Sequence, residues 1–249
     1  MIDKETLQKL AKLNNLRPWQ QEKHYIQSLI LLSLCEYPLL FKGGTYLWFF
    51  HGLPRFSEDL DFTCMEEIPQ DLPGKVSESL RFFGVENSVR KEKGIPQSFS
   101  FRISAKGPLN TGEIDLCHVY VEISKREKPL INALSLPFVQ NQYSLPSKMV
   151  LGMALPEVAA EKIRAIMTRD KARDLYDLHF LAKNKGILFD EKFVNAKLNY
   201  YGNKFSKEAF AEKVKEKETR WKGELKPLLF EKLPEFSLVE KEILTLLEV

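Results

Sequence analysis

Cysteine is scarce in this sequence of 249 residues. Its three cysteines, Cys35, Cys64 and Cys117, lie far apart and form no C-x-x-C pair. Their number and spacing predict neither a disulfide framework nor a zinc site. Because unpaired cysteines are typical of proteins in reducing compartments, we expect the protein in the cytoplasm.

Long apolar runs are also missing. The longest, Ile26–Leu34, is far too short to cross a bilayer, and residues 1–16 carry several charges where a signal peptide needs an apolar segment. Neither a Walker A sequence nor G-x-G-x-x-G occurs, which excludes P-loop hydrolysis and Rossmann-type dinucleotide chemistry. We therefore expect a soluble protein without a membrane partner.

Charge of one sign is not in excess. The 37 Lys and Arg against 34 Asp and Glu give a net charge of +3, so any polyanion would need a local basic site. With 44% hydrophobic residues and 17 Phe, 8 Tyr and 3 Trp, the chain has enough apolar surface for a folded core. Its length fits one large domain or two smaller ones.

Hydrophobic periodicity divides the chain into two regions. Strand-like and helix-like segments alternate up to about residue 150, and helical spacing dominates after Pro156. We predict an α/β (α+β) fold, with a mixed sheet in residues 1–150 and a helical domain in residues 151–249. The predicted strands are 38–42, 59–62, 85–90, 98–104 and 113–124. The predicted helices are 3–12, 18–36, 45–50, 75–83, 157–168, 172–183, 191–198, 207–220 and 239–247.

Two short patterns indicate a phosphate and metal site. In Gly43-Gly44-Thr45 the missing Cβ atoms let backbone N–H groups approach phosphate oxygens, and Thr45 adds a hydroxyl. In Asp59-Leu60-Asp61, strand alternation places both carboxylates on one face, where they repel unless a cation such as Mg²⁺ lies between them. Taken alone, each pattern is more typical of an ordinary turn or an exposed strand; their combination favours a site for a nucleoside triphosphate.

These patterns belong to longer segments. Phe41–Thr45 and Gly52–Phe62 resemble the first motif of the AbiEii/AbiGii-type nucleotidyltransferase toxins, a branch of the DNA polymerase β-like nucleotidyltransferase superfamily. Ala160–Ala165 and Arg173–Leu178 resemble later motifs of that family, in the same order. The superfamily usually has Gly-Ser where this chain has Gly44-Thr45, a change that keeps the hydroxyl and adds a methyl group.

The resemblance implies a nucleotidyltransferase core followed by a helical domain that completes the nucleotide cleft. The implied reaction depends on Mg²⁺ or Mn²⁺ and moves a nucleoside monophosphate from an NTP to an acceptor, which we expect to be RNA at the tRNA 3′ end. Family members are toxins of toxin–antitoxin or phage-defence systems, which implies a cognate antitoxin as partner. The alternatives left open are nucleotidylation of a protein or small molecule and an NTP-binding regulator without catalysis.

A polymerase-like site needs a third carboxylate. Glu122, in the predicted strand 113–124, matches the strand-borne acid of the family, and Asp115 lies seven residues earlier. An odd separation places these two acids on opposite faces of a regular strand, so at most one reaches the metal. We favour Glu122, with Asp59 and Asp61, as metal ligands and catalytic residues, and Asp115 remains the alternative.

The cationic segment 162–173 contains five Lys or Arg residues and one Asp. It suits a triphosphate, and it is also typical of a solvated helix face. If one unbroken helix covered it, Lys162 and Arg169 would lie on one stripe. The resemblance favours Lys162 as the catalytic, nucleotide-binding cation that neutralises the leaving pyrophosphate. Asp174 is predicted either to bind the nucleotide or to act structurally, and Asp177 to act structurally.

The connection before the acidic strand supplies the last candidates. Arg55 and Ser57 lie there, and we expect Ser57 to contact the nucleotide together with the glycine turn, the alternative being a solvated loop. The histidines lack paired ligand spacing, which argues against metal binding. The consecutive aromatic residues 48–50 are expected in the core.

Overall fold

The computed structural model describes residues 1–92 and 97–246, which form two compact units. Unit 1 consists of Met1–His51, Phe56–Lys128 and Ala133–Gly152. Unit 2 consists of Gly52–Arg55, Pro129–Asn132 and Met153–Val249. The chain therefore contributes two short segments to unit 2 before it enters that unit for the remainder of its length.

Unit 1 is built on one seven-stranded sheet. Its strands are β1 (Leu39–Lys42), β2 (Leu60–Cys64), β3 (Asn87–Lys91), β4 (Ser98–Ala105), β5 (Cys117–Ser124), β6 (Leu134–Phe138) and β7 (Lys148–Gly152). Their order across the sheet is β3-β4-β5-β2-β1-β7-β6. β1 pairs antiparallel with β2, and β2 pairs parallel with β5. The predicted mixed sheet and α/β fold class are thus confirmed.

Two parts of this sheet differ from the sequence prediction. Glu113–Asp115 forms a 3₁₀ helix, so the predicted strand 113–124 begins only at Cys117. β6 and β7 are not predicted at all. Each lies at or near the sheet edge with most of its residues exposed or half-buried, and the continuous apolar run that marks a buried strand is therefore missing.

Among its described residues, unit 1 has four helices: α1 (Lys4–Leu13), α2 (Pro18–Leu34), α3 (Gly43–His51) and α4 (Leu72–Phe82). Pro18 stands at the first position of α2, where its missing N–H costs no hydrogen bond. Nearly all of α2 is buried, and it contacts α1, α4 and β5. Such an all-round burial explains why its apolar residues form no single stripe.

His24 of α2 is buried, and its Nδ1 lies 2.7 Å from the Tyr143 hydroxyl. Burial lowers the pKa of His24 to about 4. Because the unfolded chain binds this proton near pH 6.5, the folded state loses about 3 kcal/mol of stability as the pH falls from 6.5 to 4. In urea unfolding between pH 6.5 and 4, the free energy of unfolding should decline less for His24→Phe than for the wild type. The same decline as in the wild type would contradict this role of His24. His118→Gln, at an exposed position where the pKa of the histidine is also lowered but less, should change the decline less than His24→Phe.

Unit 2 is helical: α5 (Leu155–Thr168), α6 (Ala172–Lys185), α7 (Glu191–Asn199), α8 (Lys207–Glu216), α9 (Glu218–Leu225) and α10 (Phe236–Thr245). The predicted helix 207–220 is in fact α8 and the first part of α9, which meet at Lys217. Leu247, the predicted end of the last helix, lies outside the described residues. In the part of the chain that the structure covers, no helix has both the length and the apolar character to cross a membrane.

The segment between α5 and α6 breaks the predicted cationic stripe. α5 ends at Thr168, and Arg169 has an extended backbone with φ −145° and ψ 156°. Lys162 and Arg169 therefore do not lie on one continuous helix. The condition for a single stripe, one unbroken helix, is not met, whereas the predicted separate helices 157–168 and 172–183 agree with α5 and α6.

Buried charges hold both short segments within unit 2. The Glu157 carboxylate is fully buried and accepts hydrogen bonds from the backbone N–H groups of Leu130 (3.0 Å) and Ile131 (3.1 Å) and from Lys197 Nζ (2.6 Å). The other segment ends in Arg55, whose side chain is 2% exposed and pairs with the Asp177 carboxylate of α6 at 2.6 Å. A charged group of the helical unit thus fixes each segment.

Candidate active site

The glycine bend and the acidic strand lie against each other in unit 1. Gly43 begins α3 with φ 77°, a left-handed conformation that glycine tolerates. A Cβ atom at residue 43 would lie 3.0 Å from both Cβ and Cγ of Asp61, and it would overlap with Oδ2. Glycine at residue 43 therefore allows the Asp61 carboxylate to approach the first turn of α3.

Thr45 holds the other acidic residue through the backbone. Its side chain is fully buried, and its Oγ1 donates a hydrogen bond to the Asp59 carbonyl at 2.5 Å. The hydroxyl proton is thus used to fix the main chain of Asp59. The phosphate contact expected of this hydroxyl stays a prediction, whereas the observed contact positions the main chain of Asp59.

Gly43→Ala should lower the stability of the protein. The left-handed φ strains alanine, and the new methyl group would displace the Asp61 carboxylate. Gly52→Ala is a matched control, because Gly52 has φ 76° and no heavy atom within 4 Å of its would-be Cβ. In urea unfolding we expect Gly43→Ala to cost about 1–3 kcal/mol more than Gly52→Ala. Equal costs would contradict the close approach of Asp61.

Asp61 lies within a row of residues across neighbouring strands. It is in register with Lys42 of β1 and with Glu122 of β5, and Glu122 is in register with Ser100 of β4. Residues in register on neighbouring strands project from the same face of a sheet. Lys42, Asp61 and Glu122 therefore share one face, with the half-buried carboxylates beside a lysine that is 6% exposed.

Glu122 has its own partners. Its Oε1 lies 3.0 Å from Arg126 Nη2, and Ser98 Oγ donates to it at 3.4 Å. Arg126 Nε also donates to Ser124 Oγ at 3.0 Å. The carboxylate is 46% exposed, so the ion pair with Arg126 is a weak, solvent-screened contact.

Asp115 lies outside the strand that carries Glu122. It is the last residue of the 3₁₀ helix and accepts a hydrogen bond from the Thr111 hydroxyl. The premise that both acids belong to one strand is therefore wrong, and the argument from opposite faces does not apply. Glu122, in contrast, is in register with Asp61 on the neighbouring strand β2.

The three predicted metal ligands do not form a closed cluster. Nowhere in residues 1–92 and 97–246 do three His, Cys, Asp or Glu side chains have an arrangement that could hold a metal ion.

Ser57 lies just before the acidic strand and is half-buried. Its carbonyl accepts a hydrogen bond from Gln27 Nε2 at 3.1 Å.

Unit 2 contains a buried ion network centred on Lys162. Its Nζ lies 3.0 Å from Asp174 Oδ1 and 2.6 Å from Asp177 Oδ2. Arg169 donates two hydrogen bonds to Asp174, at 2.7 and 2.8 Å. Arg55 donates two to Asp177, at 2.6 and 2.7 Å. Both aspartates are fully buried, and each of them thus receives two cationic partners.

The network determines the ionisation of its aspartates. Burial alone would raise the pKa of Asp174, but Lys162 and Arg169 hold it well below its usual range. Burial likewise opposes ionisation of Asp177, and Arg55 and Lys162 lower its pKa. Asp177 in turn raises the pKa of the Arg55 guanidinium against the effect of burial. Both carboxylates are therefore ionised at neutral pH.

A comparison with protein families decides the affiliation of the chain. The family model described as "Nucleotidyl transferase AbiEii toxin, Type IV TA system" matches residues 26–245. The chain belongs to the AbiEii toxin family. The resemblance inferred from the sequence motifs is confirmed, and this AbiEii-family chain is a nucleotidyltransferase toxin of a type IV toxin–antitoxin system.

Solved structures share the fold of this AbiEii-family toxin. The nucleotidyltransferase toxin MenT4 (Rv2826c) from Mycobacterium tuberculosis H37Rv has a TM-score of 0.69 and 20% identity, over 99% of this chain and 88% of that one. JHP933 from Helicobacter pylori has a TM-score of 0.61 and 22% identity, over 92% and 90%. At such identities the likeness shows the fold alone. No curated protein matches the chain.

The predicted site residues of the AbiEii-family toxin fall into two groups. Unit 1 contains Gly43, Gly44, Thr45, Ser57, Asp59, Asp61 and Glu122. Unit 2 contains Lys162 and Asp174, whose charged groups contact each other. Nucleotide binding by Lys162 and Asp174 stays a prediction.

Sequence reasoning missed two arginine contacts of this toxin. Alternate residues of a strand share one face, and Glu122, Ser124 and Arg126 follow this spacing. The sequence therefore contained a signal for the ion pair between Glu122 and Arg126. Arg55 and Asp177 are 122 residues apart, and no local pattern indicates their contact. Only the structural role expected of Asp177 agrees with the pairing.

Proposed function

We propose that this AbiEii-family toxin transfers a nucleoside monophosphate from an NTP to a hydroxyl group of RNA, at the 3′ end of tRNA, and releases pyrophosphate. The observation that carries the proposal is the approach of the Asp61 carboxylate to Gly43, at the first turn of α3. There, backbone N–H groups at a helix start favour phosphate oxygens, and the carboxylate of Asp61, the acid proposed to bind the metal, lies directly beside them.

The acids of unit 1 have the oxygen chemistry that Mg²⁺ or Mn²⁺ requires. Asp59 and Asp61 would hold the ion, and Glu122 would complete the set after its carboxylate leaves Arg126. When bound, the ion supplies charge stabilisation at the reacting phosphate and activates the attacking hydroxyl. The half-buried positions of Asp59 and Asp61 leave them accessible to such a ligand.

The chain's own residues then bind and orient the nucleotide. The backbone N–H groups of Gly43 and Gly44 bind the β- and γ-phosphates, and Ser57 contacts the same nucleotide. Thr45 keeps the Asp59 backbone in place through its hydrogen bond to the carbonyl. We propose that Lys162 is the cation that neutralises pyrophosphate. Asp174, whose Oδ1 lies 3.0 Å from Lys162 Nζ, would orient that lysine.

The test is transfer of label from an NTP. Purified protein, α-labelled NTPs, Mg²⁺ and total tRNA should give labelled RNA, and chelation of the metal by EDTA should stop the reaction. A labelled protein band in place of RNA would support nucleotidylation of a protein. NTP binding without any transfer would support an NTP-binding regulator. Each of these two results would overturn the proposal.

The identity of the third acid has a test of its own. Because Glu122 is in register with Asp61, we expect Glu122→Gln to lower transfer by about 10²-fold. Asp115→Asn, the control, removes the same charge from outside the strand and should change transfer by less than about twofold. The reverse order of effects would assign the role to Asp115.

We further propose a cytoplasmic protein that acts in phage defence and is neutralised by a cognate antitoxin, as the toxin–antitoxin family implies. Expression of the chain alone should arrest growth, and co-expression of the adjacent reading frame should relieve the arrest. Growth that continues at full rate with active enzyme present would contradict this part of the proposal.

A further inference from the structure

Unit 2 contains a groove that the proposed reaction does not use. It lies between the start of α6 and one side of α9 and has a volume of about 430 Å³. Among the described residues, its walls are formed by Lys171, Arg173, Thr219, Arg220, Gly223 and Glu224. The α9 residues are spaced at one, four and five positions, so they share one face of that helix.

Hydrogen bonds hold the two walls together. Glu224 of α9 accepts a hydrogen bond from the backbone N–H of Ala172 at 2.9 Å and lies 3.8 Å from Arg173. Lys217, 1% exposed at the start of α9, donates to the Arg169 carbonyl at 2.8 Å. The groove is therefore a fixed feature of the fold, and its width does not depend on exposed side chains alone.

Gly223 is the unexpected residue in this groove. Glycine inside a helix is less favourable than alanine, because it loses more backbone freedom on folding. A Cβ atom at residue 223 would meet no heavy atom within 4 Å, and its φ is not in the left-handed region. Neither packing nor backbone conformation requires glycine here. Its missing side chain leaves space in the groove.

The groove's chemistry suits phosphate groups. Three of its six residues are cationic. Arg220 forms an ion pair with Asp170 and Arg173 lies 3.8 Å from Glu224, but their side chains are 56% and 32% exposed, and each guanidinium has further N–H donors for a phosphate. Thr219 adds a hydroxyl donor. None of the six lining residues is a large apolar one, whereas the core of a protein–protein interface is enriched in aromatic and other apolar residues. A phosphodiester backbone, which is bound by Arg, Lys and hydroxyl groups, fits this lining better than a protein segment.

We propose that this groove binds the phosphate backbone of the acceptor RNA, with Gly223 keeping it open. The inference rests on the proposed function, since an RNA acceptor is assumed. It adds a binding site remote in sequence from the acids of unit 1. Lys171, Arg173 and Arg220 supply the charge, and Thr219 a neutral hydrogen bond.

Binding of total tRNA, measured by fluorescence anisotropy with the Asp61→Ala variant so that no transfer occurs, tests the groove. Gly223→Trp fills the space and should weaken binding at least tenfold, whereas Gly223→Ala should leave it within about twofold. Lys171→Ala should reduce the slope of log K against log salt by about 1. Lys222→Ala, on the same helix but outside the lining, should leave that slope unchanged.

Unchanged tRNA binding by Gly223→Trp, in protein whose circular dichroism and thermal melting match those of Gly223→Ala, would overturn the proposal. A poly-glutamate peptide whose binding is lost in Gly223→Trp while tRNA binding persists would also overturn it, in favour of an acidic protein partner. The proposed function is tested separately. If the wild type binds tRNA in the groove but does not label it, the proposed reaction is wrong and the proposal of an RNA-binding groove stands.

Discussion

Asp61→Asn should lower nucleotide transfer by about 10³-fold while the protein remains folded. The substitution keeps the size of the side chain and removes its charge. Asp61 is the acid that lies against Gly43 and is in register with both Lys42 and Glu122. Its loss would remove the proposed metal ligand next to the phosphate-binding turn. The measurement is the initial rate of label transfer at saturating NTP and Mg²⁺.

Glu58→Gln is the matched control for this experiment. Glu58 is the acid that directly precedes Asp59, yet its side chain is 42% exposed and lies 3.3 Å from Lys23 Nζ. We expect its rate within about twofold of the wild type. If Asp61→Asn retained the wild-type rate with an unchanged melting temperature, the proposed site in unit 1 would be wrong.

Asp177→Ala should destabilise the protein by about 3–5 kcal/mol, because it removes the carboxylate that accepts two hydrogen bonds from the buried Arg55 guanidinium. Lys162 loses its closer partner at the same time. Urea unfolding followed by tryptophan fluorescence measures the effect, since Trp221 is buried in unit 2. Glu216→Ala is the control: this acid pairs with Lys213 at 2.8 Å with both side chains about half exposed, and its loss should cost about 0–1 kcal/mol.

The double variant sharpens this prediction. Arg55→Ala with Asp177→Ala should cost about 1–3 kcal/mol less than the sum of the two single variants. The contribution of Asp177 is present above pH 4 and is lost as the pH falls through its lowered pKa. Additive single effects would show that the two residues do not act as a pair.

Local patterns predicted the parts of the site that depend on neighbouring residues. The alternation of Asp59 and Asp61 and the double glycine before α3 are visible in the sequence, because a strand and a turn are short-range structures. Whether Glu122 lies beside Asp61 depends on the register of two strands about 60 residues apart. Strand alternation fixed the face of Glu122 but not its neighbour, and the resemblance to a family supplied the choice.

Contacts between distant segments could not be predicted in this way. Lys162 reads as a free cation of a basic segment, whereas its ammonium group lies between two buried aspartates. The partners of Asp177 come from α5 and from a segment 122 residues earlier. Charge composition records how many cations a segment has, and only the tertiary fold determines which of them face carboxylates.

The early placement of Arg55 and of residues 129–132 in unit 2 has a consequence during synthesis. Arg55 leaves the ribosome 122 residues before Asp177, an interval of about 6–25 s at ordinary bacterial and eukaryotic elongation rates. Leu130 and Ile131 are likewise synthesised before Glu157, the residue that accepts their backbone hydrogen bonds. A nascent or truncated toxin that ends near residue 150 therefore lacks the Asp177 and Glu157 carboxylates that bind the Arg55 guanidinium and these two amide groups. Harmful activity should consequently begin only after most of the chain has been translated.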